Sequence, residues 1–167
     1  MNKLDFKEIY SEFKISVERI SFYFEKNKEK QNELNQDIWI RVWKSLENFN
    51  NECSLKTWIY RVAHNTAINH VIKDKKNKSL MPLEDVFVST ENLEQNLENK
   101  QSIDLLNEII FTLKPLDKEL VILYLEGNTQ EEIEVITGLS KSNISTKISR
   151  LKNILKKIMQ KKESSNE

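Results

Sequence analysis

Two glycines and two prolines in 167 residues leave this chain almost without turn-forming or helix-breaking residues. β-sandwiches need turn signals about every 8–12 residues, and phosphate-binding loops need closely spaced glycines, so both are excluded. A chain rich in Lys, Glu, Leu and Ile and so poor in breakers is predicted to be mostly helical. Cys53 is the single cysteine, which excludes an intramolecular disulfide and fits a reducing compartment. No apolar run approaches the roughly 18 residues of a membrane span. The start, MNKLDFKEIYSEFK, is charged and amphipathic rather than signal-like. The expectation is an all-α, soluble, cytoplasmic protein.

Net charge is zero, with 26 basic and 26 acidic residues, but the parts differ. Residues 1–78 carry +4, 79–110 carry −6 and 111–167 carry +2. The last part is itself polarised. Between 115 and 138, Lys118 faces Asp117, Glu119, Glu126, Glu131, Glu132 and Glu134, whereas 139–162 holds eight basic residues and no acid. A polyanion is attracted to that second stretch alone.

Apolar periodicity marks the helices. Leu4, Ile9, Phe13, Val17, Ile20 and Phe24 form a first run. Leu34, Ile38, Val42 and Leu46 form a second, flanked by Trp39 and Trp43, both expected in the core. A third runs from Leu55 to Lys78, after the polar, turn-prone segment at 48–54. Residues 79–98 have no sustained period and read as a flexible acidic linker. Periodicity resumes at Ile103–Leu113 and Leu116–Leu125, the latter closed by Gly127. Thr129 and Glu132 have capping-box spacing before a short helix that ends at Gly138. Ser140 then sits at the N-cap of a long helix from Lys141 to about Lys161. Two small helical domains are expected, 1–78 and 99–163, with 164–167 a disordered tail. Bodies this small bury only about 60% of their unfolded surface, so docking on a partner would help both.

A capped short helix, a tight turn and a longer basic helix make the plan of a helix-turn-helix unit. A helix entering a major groove about 12 Å wide needs short polar side chains in its first turns. Here these are Lys141, Ser142, Asn143, Ser145, Thr146, Lys147 and Arg150. Asn143 and Lys147 can reach base edges, while Ser142, Thr146 and Arg150 can hold phosphates. Ile144, Ile148, Leu151 and Leu155 form the inward stripe.

The segment from Glu33 to Lys78, ELNQDIWIRVWKSLENFNNECSLKTWIYRVAHNTAINHVIKDKKNK, combines three features. They are a carboxylate/amide cluster (Glu33, Gln36, Asp37), aromatics beside amides (Trp58, Tyr60, Asn65, Asn69) and a lysine tail. Aromatics, amides and positive charge together suit single-stranded DNA, which is held by stacking, edge hydrogen bonds and phosphate contacts. His70 and Asp74 lie four apart but lack a third ligand at suitable spacing. Cys53 has no basic cluster to activate it. No metal, cofactor or catalytic activity is expected.

This segment resembles region two of an extracytoplasmic-function sigma factor, the smallest type of bacterial RNA polymerase specificity subunit. ELNQDIWIRVWKSLENF is similar to that family's core-binding helix, and TWIYRVAHNTAIN to its promoter-melting and minus-ten recognition helix. LKPLDKELVILYLEGNTQEEIEVITGLSKSNISTKISRLKNILKK is similar to region four, which binds the minus-thirty-five element. The resemblance implies that Glu33, Gln36 and Asp37 dock on the coiled coil of the polymerase clamp. It assigns Trp58, Tyr60, Asn65, Asn69, Lys73, Lys75 and Lys76 to minus-ten DNA. The loop from Phe49 to Leu55 joins the two asparagines in a pocket for a flipped base. The basic residues from Lys141 to Arg150, with Ser142, Asn143, Ser145 and Thr146 between them, fall to the minus-thirty-five element. The implied partners are the core clamp and flap, promoter DNA and an anti-sigma protein, with no small-molecule substrate. Primary sigma factors carry two adjacent tryptophans where this chain has Trp58-Ile59, and relatives often carry Lys or Arg at Ser145. Two other classes fit parts of the sequence: a free-standing regulator using the helix-turn-helix as a dimer, and an interaction protein that does not touch DNA.

Overall fold

A computed structural model describes residues 5–78 and 102–164; the linker expected at 79–98 lies outside them. The first body contains α1 (Phe6–Phe24), α2 (Lys28–Ser45), a short 3-10 turn (Leu46–Asn48) and α3 (Leu55–Lys78). The second contains α4 (Ser102–Thr112), α5 (Pro115–Leu125), α6 (Gln130–Thr137) and α7 (Lys141–Ser164). Among the described residues there is no strand, and no helix is long and apolar enough to cross a membrane.

Local sequence explains most helix ends. The Asp5 carboxylate accepts from the Lys7 N–H to start α1, and the Asn27 side chain accepts from the Lys30 N–H to start α2. Pro115 occupies the first turn of α5, where its missing N–H costs nothing. At α6 both halves of the capping box form: Glu132 N–H donates to Thr129 Oγ1 and Thr129 N–H to the Glu132 carboxylate. Gly127 and Gly138 close α5 and α6 with φ of +79° and +73°, left-handed values that burden any side chain.

A Cβ at Gly138 would meet nothing within 4 Å. Gly138→Ala therefore isolates the backbone penalty, about 1–2 kcal/mol. For a domain of this size it should lower Tm by roughly 2–4 °C per kcal/mol, read by thermal melting in circular dichroism. An unchanged melting curve would mean that the left-handed turn is not kept in solution.

Leu34, Ile38 and Val42, spaced by four, are fully buried between α1 and α3. The two tryptophans beside them part company. Trp39 is buried, its ring against Phe6 and Tyr10 of α1. Trp43, expected in the core, is 61% exposed. The two lie one turn apart on the same edge of α2, and the aromatics of α1 cover only the first.

The two bodies share one apolar core. Ile110, Leu120 to Leu123, Ile133 and Ile136 belong to the same buried cluster as Val17, Ile20, Ile59 and Ala63. Helix α6 packs on α3, α5 on α1 and α3, and α4 on α1. Bodies of this size gain burial by docking, and here each serves as the partner of the other.

Candidate polymerase and nucleic-acid interface

Helix α3 has two long faces with different roles. Trp58, Val62, Asn65, Asn69, Lys73 and Lys76 follow one another at intervals of three or four, so they share a face. At its start Trp58 is buried, its ring 5.3 Å from that of Phe49. The loop carrying Phe49 bends back through Asn51 (φ 61°). Ser54 then caps α3, its Oγ accepting from the Thr57 N–H at 3.1 Å. Farther along, Asn65, Asn69, Lys73 and Lys76 stand exposed. An aromatic floor thus leads to two amides and two ammonium groups in line.

Tyr60 and Lys75, expected beside them, lie off this line: Tyr60 is buried against the second body, whereas Lys75 is exposed. Tyr60 is 3% exposed and its hydroxyl donates to the Glu126 carboxylate at 2.9 Å. Burial, with Glu126 beside it, pushes the phenol up to about 12. Lys75 lies near Lys118 of α5, whose ammonium rests over Phe24 and Phe111. Burial, then Lys26 and Lys75, lowers Lys118 to about 8. Between these positions His64 is fully buried, its Nδ1 3.7 Å from the carboxylate of Glu119. Sequence reasoning passed over His64, Glu119 and Glu126, because their partners are more than 50 residues away.

On α2, Glu33, Gln36 and Asp37 are exposed and share their face with Ile40 and Trp43. Spacing carries the polar cluster into an apolar patch, and among the described residues Ile40 and Trp43 stay 48% and 61% exposed.

In α7, Ile144, Ile148 and Leu151 are buried and turn the opposite side outward. Ser140 caps the helix, its Oγ accepting from the Asn143 N–H at 3.3 Å. Ser142, Asn143, Ser145, Thr146 and Arg150 are exposed. Two of the expected cations are engaged within the body. Lys141 pairs with Glu131 at 3.0 Å, and Lys147, half-buried, with Asp117 of α5 at 2.9 Å. Lys147 thereby braces α7 on α5. The outward face continues through Ser149, Asn153 and Lys156, all exposed; the repeat from Ser142 and Thr146 was the signal that could have found them.

His70 and Asp74, considered as ligands, have separate partners: Glu25 at 2.8 Å and Lys30 at 2.9 Å.

A capped turn seating a basic helix has the plan of a helix-turn-helix, and a second helix lines amides and ammonium groups on one open face, the groups a nucleic-acid interface uses. The family model for Sigma-70 region 2 matches residues 9–77. Over 159 residues the chain is 27% identical to RNA polymerase sigma factor YlaC of Bacillus subtilis (strain 168), covering 93% of this chain and 92% of that protein. It is 28% identical over 129 residues to the ECF RNA polymerase sigma-E factor of Escherichia coli (strain K12), covering 69% and 66%. Among solved structures, the sigma factor RpoE in complex with the anti-sigma factor NepR from Bartonella quintana superposes with a TM-score of 0.73 at 17% identity, over 93% of this chain and 97% of that one. CnrH in complex with the cytosolic domain of CnrY gives 0.65 at 15% identity, over 93% and 87%. Residues 9–77 thus match Sigma-70 region 2, and along nearly its whole length the chain is similar to an RNA polymerase sigma factor.

Proposed function

We propose that residues 1–78 and 99–163 act as two working units joined by the linker, in the cytoplasm, to recruit RNA polymerase core and place it on a promoter. Helix α2 docks on the clamp coiled coil through Glu33, Gln36 and Asp37, with Trp43 and Ile40 as the apolar part of the contact. The open face of α3 captures the melted minus-ten strand: Asn65 and Asn69 bond to base edges, the Phe49–Trp58 side forms the pocket floor, and Lys73 and Lys76 hold phosphates. Helix α7 reads the minus-thirty-five element as duplex through Ser142, Asn143, Ser145, Thr146 and Arg150. The solved RpoE structure is a complex with the anti-sigma factor NepR, which supports an anti-sigma protein as a further partner. The observation that carries this reading is the α3 face, where Asn65, Asn69, Lys73 and Lys76 stand in line and exposed.

Reconstitution tests it. Purified chain is added to sigma-free core with a library of bacterial upstream fragments, and the transcripts are sequenced. Chain-dependent starts that share two upstream motifs at a fixed spacing are expected. Duplex binding without core binding would instead favour the free-standing regulator, and binding to neither the interaction protein. Trp43→Ala should weaken core binding by about 2 kcal/mol or more, as buried aromatic anchors do. Because the side chain is exposed, Tm should stay within the small range of surface substitutions. Unchanged core affinity by fluorescence titration would remove Trp43 from the interface.

A further inference from the structure

We propose that Lys26, Lys75 and Lys118 form a binding site for a di- or triphosphate anion, free or carried on a nucleoside. The three come from different elements: the link between α1 and α2, the last turn of α3 and the first turn of α5. Lys118 Nζ lies 5.8 Å from the ring centroid of Phe24 and 5.9 Å from that of Phe111. Lys26 Nζ lies 5.2 Å from the Phe111 centroid. Two ammonium groups thus rest over one ring at the end of α4. Lys75, exposed, is near enough to act on Lys118.

An acid precedes each of these lysines in the sequence, and each acid is engaged elsewhere. Glu25 pairs with His70 at 2.8 Å, Asp74 with Lys30 at 2.9 Å and Asp117 with Lys147 at 2.9 Å. Among the described residues, no carboxylate lies within salt-bridge distance of Lys26, Lys75 or Lys118. Like charges gathered without a counter-ion raise the free energy, and burial adds to it. Burial, then Lys26 and Lys75, accordingly lower Lys118 to about 8. An anion seated among the three offsets that repulsion. An ammonium has three donors, and the Phe111 carbonyl, at 3.4 Å, accepts from one of those on Lys118. The remaining donors, with those of Lys26 and Lys75, suit phosphate oxygens. One phosphoryl group carries about −1.5 to −2 at pH 7, so three cations match a di- or triphosphate better than a single phosphate. Phe22, 40% exposed and edge-on to Phe111 with centroids 5.2 Å apart, offers a base a stacking face at the rim.

The test titrates the full chain with inorganic tripolyphosphate and with ATP, in magnesium-free buffer, by calorimetry and thermal melting. Wild type should bind both, and a hundredfold excess over Kd should raise Tm by about 5–11 °C. Lys118→Met keeps the apolar stem over Phe24 and Phe111 and removes the charge. Without ligand it should melt no lower than wild type, and it should bind tripolyphosphate about 10- to 150-fold more weakly. Lys26→Ala and Lys75→Ala, at exposed positions, should each weaken binding by up to about fivefold. Lys14→Ala, which removes the partner of Glu18 on α1, should leave affinity unchanged. Stacking on Phe22 should make ATP about 5- to 150-fold tighter than tripolyphosphate, a gain that Phe22→Ala removes. Equal affinities for the two probes would assign the site to the free anion. Absence of binding to wild type would overturn the site. So would a loss in Lys14→Ala as large as in Lys118→Met, which marks general attraction to basic surface. A Lys118→Met variant that binds tripolyphosphate as wild type does would also overturn it. Weaker promoter DNA binding in that variant would then assign the three lysines to the nucleic-acid interface.

Discussion

Glu119→Gln is expected to raise stability at pH 8 by about 3 kcal/mol while leaving it unchanged at pH 4.5. Glu119 is 4% exposed and His64 fully buried, and they face each other at 3.7 Å. Burial pushes the carboxyl up from 4.5 to about 7 and the imidazole down from 6.5 to about 3. The pair therefore holds a single proton between about pH 3 and 7. Removing it leaves a buried carboxylate, and adding a second leaves a buried imidazolium. Because the folded value of Glu119 lies above its unfolded one, its contribution is complete below about pH 4.5 and is lost as pH rises to about 7. His64 has the opposite sign: its contribution is complete above about 6.5 and is lost as pH falls toward 3. Wild-type stability should peak between these limbs, near pH 5–6. Glutamine keeps the shape and cannot ionise, so the upper limb disappears. At roughly 2–4 °C per kcal/mol, the variant should melt about 6–12 °C higher than wild type at pH 8. Parallel melting profiles from pH 4.5 to 8 would show that the pair is hydrated and not buried.

The second large effect belongs to Asn65. With its side chain in solvent, Asn65→Ala should change folding stability by no more than about 0.5 kcal/mol and leave core binding intact. A lost base-edge contact costs about 1–3 kcal/mol, roughly a five- to 150-fold loss of open complex at tenfold per 1.4 kcal/mol. Permanganate reactivity of the melted start site measures it directly, and undiminished reactivity would remove Asn65 from strand capture. Lys73→Ala and Lys76→Ala should act differently, weakening promoter binding on all sequences and reducing the salt slope by about one each.

Particular residues show how far the sequence could be read. Thr129 and Glu132, three apart, each accept the other's backbone N–H, so the start of α6 is written in four consecutive residues. Gly127 and Gly138, the only two glycines, stand where the chain needs positive φ. The alternation of apolar and polar positions likewise places Leu34, Ile38 and Val42 inside and Asn65 and Asn69 outside. Each follows from interactions within a turn or two of helix, where composition and spacing are sufficient.

Other choices needed the whole molecule. Trp39 and Trp43 share an edge of α2, and only the reach of Phe6 and Tyr10 decides that the first is covered and the second free. Lys147 has the type and position of a base-reading residue, yet Asp117, 30 residues earlier, holds its ammonium against α5. Tyr60 stands five residues from Asn65, but the helix turns it toward Glu126. The sequence by itself determined the helices, their ends and the basic face of α7, because these depend on neighbours along the chain. Tertiary structure alone decided which face of α3 stays open and which charges are buried at the seam. Those outcomes depend on contacts between residues 50 to 110 positions apart, and local periodicity carries no information about such pairs.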